Sequence, residues 1–459
     1  MALSWRAVAL AALGIVWAAL WPTLGTVLLW AIVVALLCGL DFALAASPHR
    51  IGLAREPLGA VRRFELTYSR LRIVNDSGRR WRGVVRDAWP PSAVGLQDGG
   101  STPVTSARHS VNLPDGEATL VQSPLRPTRR GDLTAGPVTV RSYGPLGLTA
   151  RQITVAVPGR LRVLPEFASR KHLPARLARL QELDGRAAVQ VRGEGTEFDS
   201  LRNYVEGDDV RSIDWRASAR ASDIVVRTWR PERDRSVLIV VDSGRTAAMR
   251  LGSIITSAAG STNDAGATPV GTAGEPRLDA EIEAALLLAV LADRAGDRVQ
   301  VIAYDRQPRA FVARASGAAL LPRLADALAG VEPQLVETSW PGLAAYARRL
   351  VPHRALVVVL TALEPAIVES QILPVIASLS ANHQVLIAAV TDPDASELAN
   401  LRGGETIYDA AAASRMALAR EAAARRLRER GVTVLTAPAS DLAPAVADEY
   451  LRLKASRQL

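Results

Sequence analysis

The run SVLIVVDSGRT, residues 236–246, decides the fold of the C-terminal half of this chain. Residues 237–241 form a continuous apolar segment, which is typical of a strand that a parallel sheet buries on both faces. An acid, a glycine and two hydroxyl residues follow at once. Because ligands of open α/β sheets bind beyond the carboxyl ends of the strands, Asp242 and Thr246 are candidate site residues.

Apolar strand-like runs and helical patterns alternate after this strand. Further strands are predicted at DRVQVIAYD, ALVVVLT, HQVLIAAV and VTVLTAP, with an edge strand at RAFVARA. Alternation of this kind indicates a doubly wound parallel sheet, so residues 236–459 are predicted to form one α/β domain. Residues 257–276 are rich in Gly, Ala, Ser and Thr and are predicted to be a disordered insertion.

Several classes of function find no support in the sequence. No Gly-x-Gly-x-x-Gly follows the first strand and no Gly-x-x-x-x-Gly-Lys occurs, so no nucleotide site is predicted. The single cysteine, Cys38, lies in an apolar run and can form neither an intramolecular disulfide nor a cysteine-cluster metal site. No Ser-His-Asp or Cys-His arrangement is evident. The net charge of +9 comes from scattered arginines rather than from a basic stripe, which argues against nucleic-acid binding.

A charged segment, residues 193–235, lies directly before the first strand of the α/β domain. It contains NYVEGDDVRSIDWRASARASDIVVRTW, residues 203–229. The favoured interpretation is structural: a turn and a short helix whose charges pair with one another, clamped by burial of Trp215. A docking surface for a partner is the second interpretation. A catalytic use of Asp208 or Asp214 is the third, but no nucleophile or cofactor accompanies them.

The N-terminal residues 1–46 are predicted to form two transmembrane helices, about Trp5–Trp21 and Leu24–Leu44. No charged residue occurs from Ala7 to Leu40, and the apolar run breaks at WPTLG. A signal peptide is the alternative, since ALAAS resembles a cleavage site, but the apolar stretch is longer than a signal peptide requires. Basic residues flank both outer ends, so the soluble domains are predicted to lie on the cytoplasmic side of the cell membrane.

Two segments connect the membrane region to the charged segment. Residues 51–165 show short alternating runs bounded by Pro and Gly, which predicts a small all-β sandwich with a structural role. Residues 166–192 are rich in arginine and are predicted to form a helical linker.

The charged segment resembles the bacterial family called domain of unknown function 58. The matching residues are Tyr204, Gly207, Asp208, Asp209, Arg211, Ile213, Asp214, Trp215, Ser218, Ala219 and Arg220. The order of membrane hairpin, β module and α/β domain also resembles this family. The resemblance implies a protein without established enzymatic activity, and it implies a protein partner of the MoxR type, an AAA+ ATPase.

The stretch VLIVVDSGRT resembles the first strand and metal-binding loop of von Willebrand factor A domains. The resemblance implies that hydroxyls and carboxylates around Asp242 and Thr246 hold Mg²⁺. Gly244 stands in place of the first serine and Ala362 in place of a later aspartate, with Glu364 two positions on. Either Thr338 or Ser339 could supply the distant threonine. The ligand set is incomplete, so weak or no Mg²⁺ binding is predicted.

The sequence therefore predicts a membrane-anchored, non-enzymatic scaffold that binds a MoxR-type ATPase and serves assembly or maturation of a complex. A Mg²⁺-dependent adhesion module is the first alternative, and a hydrolase is the second. The family residues, from Tyr204 to Arg220, are expected to be structural or to dock the partner.

Overall fold

A computed structural model describes residues 2–94, 107–190, 197–205, 210–220, 223–230, 235–251, 274–313, 315–391 and 407–456. The chain folds as two units, Met1–Glu166 and Phe167–Leu459. The predicted disordered insertion lies mostly outside the described residues, and only its last three residues, 274–276, are described.

Two apolar helices begin the first unit, α1 (Trp5–Leu20) and α2 (Leu24–Leu44). Pro22 separates them, and the Thr23 side chain caps α2 by accepting the Thr26 N–H. The helices contact each other, with the rings of Trp17 and Trp30 stacked at 6.4 Å between centroids. The helical stretch Leu24–Arg50 is long and apolar enough to cross a membrane, whereas α1 is shorter.

The rest of the first unit consists of short strands, as the alternating sequence predicts. They are β1 (Ala2–Leu3), β2 (Ile51–Arg55), β3 (Val61–Arg62), β4 (Thr67–Asn75), β5 (Trp81–Arg86), β6 (Arg108–Leu113), β7 (Ala118–Leu125), β8 (Gly131–Thr134), β9 (Val138–Tyr143), β10 (Thr149–Val155) and β11 (Arg160–Leu164), with one helical turn, α3 (Pro91–Val94). They form sheets in the orders β1-β10-β9-β5-β6, β2-β4-β7 and β3-β11-β8. Trp81, Leu71 and Ile73 are fully buried in the core of this module.

The predicted helical linker is a packed part of the second unit. Helix α4 (Leu173–Gln190) buries Leu180 in the core of the α/β domain. Arg176 on the same helix forms an ion pair with Asp448 at 2.7 Å. The helix therefore packs an apolar residue into the core and places an arginine against a neighbouring acid.

The charged family segment forms a two-stranded antiparallel hairpin, which the sequence did not predict. Its strands are β12 (Glu197–Asn203) and β13 (Val225–Arg230). Between them lie a 3-10 turn (Val210–Ser212) and the one-turn helix α5 (Trp215–Ser218). The short helix agrees with the predicted turn-and-helix arrangement.

The α/β domain contains one six-stranded sheet. Its strands are β14 (Ser236–Asp242), β15 (Arg298–Tyr304), β16 (Pro308–Val312), β17 (Ala355–Leu360), β18 (Gln384–Thr391) and β19 (Thr433–Pro438). The order is β16-β15-β14-β17-β18-β19, and β16, the predicted edge strand, is the antiparallel member. Strand β14 lies in the interior of this sheet, which explains its unbroken apolar sequence.

Helices cover both faces of this sheet. They are α6 (Arg277–Arg294), α7 (Leu320–Ala329), α8 (Trp340–Leu350), α9 (Pro365–Ile367), α10 (Leu373–Ser380), α11 (Ile407–Arg428) and α12 (Ala439–Ala455). Alternate residues of β14 point to opposite faces, so Ile239 joins a core with α6 and α12, and Val240 joins a core with α8. With both faces covered, the carboxyl edge of the sheet is the place where loop residues can form a site.

Candidate functional site

Three loops meet at the carboxyl edge of the sheet. Strand β14 ends at Asp242 and pairs in parallel with β17, so the residues that follow both strands share one edge. The turn after β14 supplies Thr246, the residue after β17 is Thr361, and the loop before α8 supplies Thr338. Of the two predicted candidates for the distant threonine, the structure places Thr338 at the site. Ser339 instead caps α8.

Four donors surround the buried carboxylate of Asp242, which is only 3% exposed. Its Oδ1 accepts hydrogen bonds from the Gly244 N–H at 2.9 Å and the Thr338 hydroxyl at 2.5 Å. Its Oδ2 accepts from the hydroxyls of Thr246 at 3.1 Å and Thr361 at 2.6 Å. A carboxylate has about four acceptor positions, so neutral donors satisfy this one. We call Asp242 with the three threonines the hydroxyl cage.

Gly244 is required by the closeness of Thr338. A Cβ atom at position 244 would lie 2.2 Å from the Thr338 hydroxyl oxygen, far inside contact distance. The φ angle of Gly244 is −77°, so space and not backbone conformation excludes a side chain here. A serine at this position would displace Thr338 from Asp242. The glycine that departs from the type A pattern is therefore part of the hydroxyl cage.

The residues of the cage do not fit Mg²⁺. Magnesium requires near-octahedral oxygen ligands, and the cage offers a single carboxylate with three threonine hydroxyls. Ala362 is buried and supplies no oxygen, while Glu364 forms an ion pair with Arg420 at 3.5 Å. Within the described parts of the chain, no three His, Cys, Asp or Glu residues are grouped to hold a metal.

A second buried acid, Glu281 on α6, lies close enough to Asp242 for the two carboxyl groups to interact. It is 0% exposed, and neither carboxylate oxygen has a hydrogen-bond partner. Burial, followed by the negative charge of Asp242, raises the pKa of Glu281 from 4.5 to about 8, although Arg277 opposes the shift. Glu281 is therefore protonated at neutral pH. The signal in the sequence is an acid three residues after Leu278 and four before Ala285, both on the buried face of the helix.

One basic and one acidic side chain lie at the rim of the cage. Arg245 and Glu337 are each more than half exposed and pair at 3.3 Å across the two loops. The amide of Gln371 donates to Glu337 at 3.4 Å. Trp340 contributes an apolar wall to the same cavity. The rim therefore offers a charge pair and an aromatic surface next to the buried carboxylate of Asp242.

Asp214 organises the family segment. Its Oδ1 accepts the N–H groups of Arg216 and Ala217, each at 3.0 Å, and so caps α5. Its Oδ2 pairs with Arg227 of β13 at 2.8 Å. The hydrogen bond from Ala217, and next that from Arg227, lower the pKa of Asp214. Asp214 therefore ties α5 to the hairpin, which is a structural role and not that of a catalytic acid.

The prediction that Trp215 is buried is wrong. Trp215 is 67% exposed. The single turn of α5 uses small residues against the hairpin: Ala217 is half-buried, and the Ser218 hydroxyl accepts the Val225 N–H at 2.9 Å. Trp215 is the first residue of that turn and lies on its exposed side. No clamp on the α/β domain is formed by this indole.

Exposed apolar side chains accompany Trp215 in the same segment. We define the Trp215 patch as Trp215 with Leu201, Val205, Val210 and Ile224, all of which are exposed. Surface exposure of one apolar residue is ordinary, whereas a tryptophan and four aliphatic residues are exposed here within 24 positions of one segment. The patch is thus a candidate interaction surface.

The remaining predicted family residues have separate positions. The N–H of Tyr204 donates to the Ile224 carbonyl at 2.8 Å, which continues the hairpin by one pair. Arg211 and Arg220 are exposed, in the 3-10 turn and at the end of α5. Gly207, Asp208 and Asp209 lie outside the described residues. Sequence reasoning missed Arg227 as the partner of Asp214, because the pairing of β12 with β13 was not predicted.

Comparison with known proteins gives one family match. A family model described as protein of unknown function DUF58 matches residues 200–434, just over half of the chain. No curated protein matches the chain.

Solved structures similar to part of the chain were also found. PapD-like domain 7 of human CEP192 is 12% identical and covers 25% of this chain and 85% of its own, with a TM-score of 0.19. A chain of the complex of zinc 2-glycoprotein and prolactin inducible protein from human seminal plasma is 14% identical. It covers 25% of this chain and 92% of its own, with a TM-score of 0.18. A non-cellulosomal cohesin from Archaeoglobus fulgidus is 15% identical. It covers 27% of this chain and 97% of its own, with a TM-score of 0.17.

Proposed function

We propose, from the premise that the chain belongs to the family of proteins of unknown function DUF58, that it is a membrane-anchored scaffold without enzymatic activity. Its C-terminal domain, which resembles type A domains, docks a protein partner through the Trp215 patch. A MoxR-type AAA+ ATPase, the partner that the family resemblance implies, is the first candidate. Assembly or maturation of another complex is the process that such a pair would serve.

The exposure of the Trp215 patch is the observation that carries this proposal. Tryptophan is enriched among the residues that dominate binding energy at protein interfaces, where it combines a large apolar ring with a polar N–H. Arg216 on α5 and Arg220 in the turn after it are both exposed and supply charged groups close to Trp215 in the sequence. An apolar centre with a polar rim is the usual anatomy of a protein–protein interface.

Two features support a membrane hairpin with the soluble domains on the cytoplasmic side. The start of α1 and the end of α2 both contact the loop between β9 and β10, so the outer ends of the two helices lie together. Basic residues gather at these ends, with Arg6 before the apolar run and Arg50 after it. When the outer ends of a helix pair are basic and the turn between the helices carries no charge, the basic ends favour the cytoplasmic side of the membrane.

A hydrolase is the less favoured alternative. It would use one of the cage threonines as nucleophile and Asp242 as base. The three hydroxyls donate to Asp242 as such a step would require, but the carboxylate is only 3% exposed and Thr338 and Thr361 are buried, so a substrate has little access to them. We therefore assign the cage a structural role: it ties together the loops that follow β14 and β17 and the loop before α8.

The docking proposal is tested by capture of the co-expressed MoxR-type ATPase from detergent-solubilised membranes, with and without ATP. Trp215→Ala should weaken capture at least roughly tenfold, as expected for an interface hot spot. Its melting temperature should stay that of the wild type, because an exposed indole contributes little to the core. Tyr408→Ala removes an aromatic side chain that is 83% exposed elsewhere in the second unit, and it should capture normally.

Two results would count against this proposal. Equal capture by wild type and Trp215→Ala would remove the patch from the interface. Capture without ATP that EDTA abolishes would instead favour a Mg²⁺-dependent adhesion module.

Membrane anchoring and orientation are tested separately. Carbonate extraction should leave the chain in the membrane fraction. Protease added to spheroplasts should spare the second unit, and its digestion from outside would reverse the proposed orientation.

A further inference from the structure

The loop between β9 and β10, residues 144–148, receives the end of helix α2. Asp41, in the last turn of α2, is fully buried although it follows a long apolar run. Its carboxylate accepts the N–H groups of Leu146 at 2.7 Å and of Leu148 and Thr149 at 2.8 Å each. A Cβ atom on Gly144 would lie 2.2 Å from Asp41 Oδ1, so the loop is fitted to this acid.

The same loop receives the start of α1. Ser4 donates its N–H to the Leu148 carbonyl at 2.9 Å and its hydroxyl to the Gly147 carbonyl at 2.6 Å. Just before Ser4, β1 pairs with the beginning of β10. Both helices are therefore fixed to the β module at one end. If they cross a bilayer, this end lies at the level of the lipid headgroups.

Three arginines lie at this end. Arg6 is exposed beside Gly147, with its Nη1 3.1 Å from where a Cβ of that glycine would be. Arg79 is exposed and reaches the Leu44 carbonyl at 3.4 Å. Arg151 stacks on the ring of Phe42 at 4.5 Å and donates to the Phe42 carbonyl at 3.0 Å.

Two acids near this end, Asp41 and Asp115, are already engaged. The Asp41 oxygens are held by the loop, and Asp115 accepts the Gly78 N–H at 2.6 Å. Among the described residues, no ion pair with an acid is formed by Arg6, Arg79 or Arg151. Trp5, exposed next to Arg6, and Leu146, exposed in the loop, add an aromatic and an apolar group at the same level.

We propose that Arg6, Arg79 and Arg151 bind the phosphates of anionic phospholipids and seat the β module on the membrane surface. This inference rests on the membrane anchoring proposed above. Guanidinium groups bind phosphate oxygens through paired hydrogen bonds, and backbone contacts hold two of these arginines in place beforehand. Each basic residue near an anionic surface strengthens the association roughly fivefold.

The test uses the full chain in nanodiscs of phosphatidylcholine and in nanodiscs of phosphatidylcholine mixed equally with phosphatidylglycerol. Anionic lipid should raise the melting temperature of the β module by about 2–4 °C for each roughly fivefold gain in binding. Arg6→Gln, combined with Arg79→Gln and Arg151→Gln, should abolish this rise. Arg6→Gln alone should reduce the rise in melting temperature and should leave the melting temperature in phosphatidylcholine unchanged. This single variant distinguishes loss of lipid binding from misfolding of the triple variant.

The control replaces Arg72 and Arg108, exposed on strands of the same module, by Gln and should retain the full rise. An equal melting temperature of the wild type in both nanodiscs would overturn the proposal, as would a rise that survives in the triple variant. Inorganic phosphate that reproduces the rise would identify free phosphate as the ligand and would also overturn it. Release of the chain by carbonate would instead refute the proposed anchoring, which is a separate result.

Discussion

Glu281 is a buried residue whose protonation state affects the stability of the second unit. Its carboxyl group has no hydrogen-bond partner and faces the charge of Asp242, which is why its pKa is raised to about 8. The folded state therefore keeps a proton that the unfolded chain releases near pH 4.5. The stability that this proton contributes is fully present below pH 4.5 and is lost as the pH rises through about 8.

Glu281→Gln should remove this pH dependence. The variant should melt at a higher temperature than the wild type at pH 8–9, by a free energy on the order of 3–5 kcal/mol, and the difference should vanish toward pH 4.5. Thermal melts from pH 4.5 to pH 9 measure it. Glu421→Gln, at a glutamate that is half exposed on α11, should leave the profile unchanged. Parallel profiles for wild type and Glu281→Gln would contradict the assignment.

At the scale of single residues, the sequence predicts which side chains lie at the ends of the strands but not which hydrogen bonds they form. Asp242, Thr246 and Thr361 follow strands that are recognisable by their apolar runs, so their shared edge can be predicted. The bond from Thr338 to Asp242 spans 96 residues and depends on the path of a loop. Trp215 was assigned wrongly because an aromatic residue next to a buried strand does not reveal which side of a one-turn helix it occupies.

At the scale of elements, continuous apolar runs identify the strands of the α/β domain, and Pro22 identifies the break between α1 and α2. Strand β1 has two residues, too few for any period, and so the sequence gives no sign of it. The hairpin of β12 and β13 was missed for another reason. Its two strands are separated by charged residues and a helical turn, so neither turn residues nor spacing indicate the pairing.

The joint between α2 and the β module gives a prediction at this scale. Asp41→Ala would leave three buried or half-buried N–H groups without an acceptor, and each costs about 1–3 kcal/mol. The β module of the full chain in detergent should melt markedly earlier, and the 144–148 loop should become sensitive to protease. Asp115→Ala removes one exposed acceptor of a single N–H and should change little. Unchanged melting of Asp41→Ala would show that the helix end does not support the module.

At the scale of the whole molecule, the two proposed contacts are divided between the two units. The arginines that face lipid in the proposal belong to Met1–Glu166, and the Trp215 patch belongs to Phe167–Leu459. Variants in one unit should therefore leave the other contact intact. Loss of both contacts from a single substitution would indicate misfolding and not a defect in binding.

The pairing of β1 with β10 has a consequence for biosynthesis. Ala2 lies opposite Ala150, so the ribosome must add nearly 150 residues before the first strand meets its neighbour. At about 5–20 residues per second, this interval lasts roughly 7–30 s. Both apolar helices leave the ribosome early in that interval, when the β module does not yet exist. In the proposed orientation Ala2 and Leu3 stay on the side where translation continues, since their translocation would leave this edge of the five-stranded sheet uncovered.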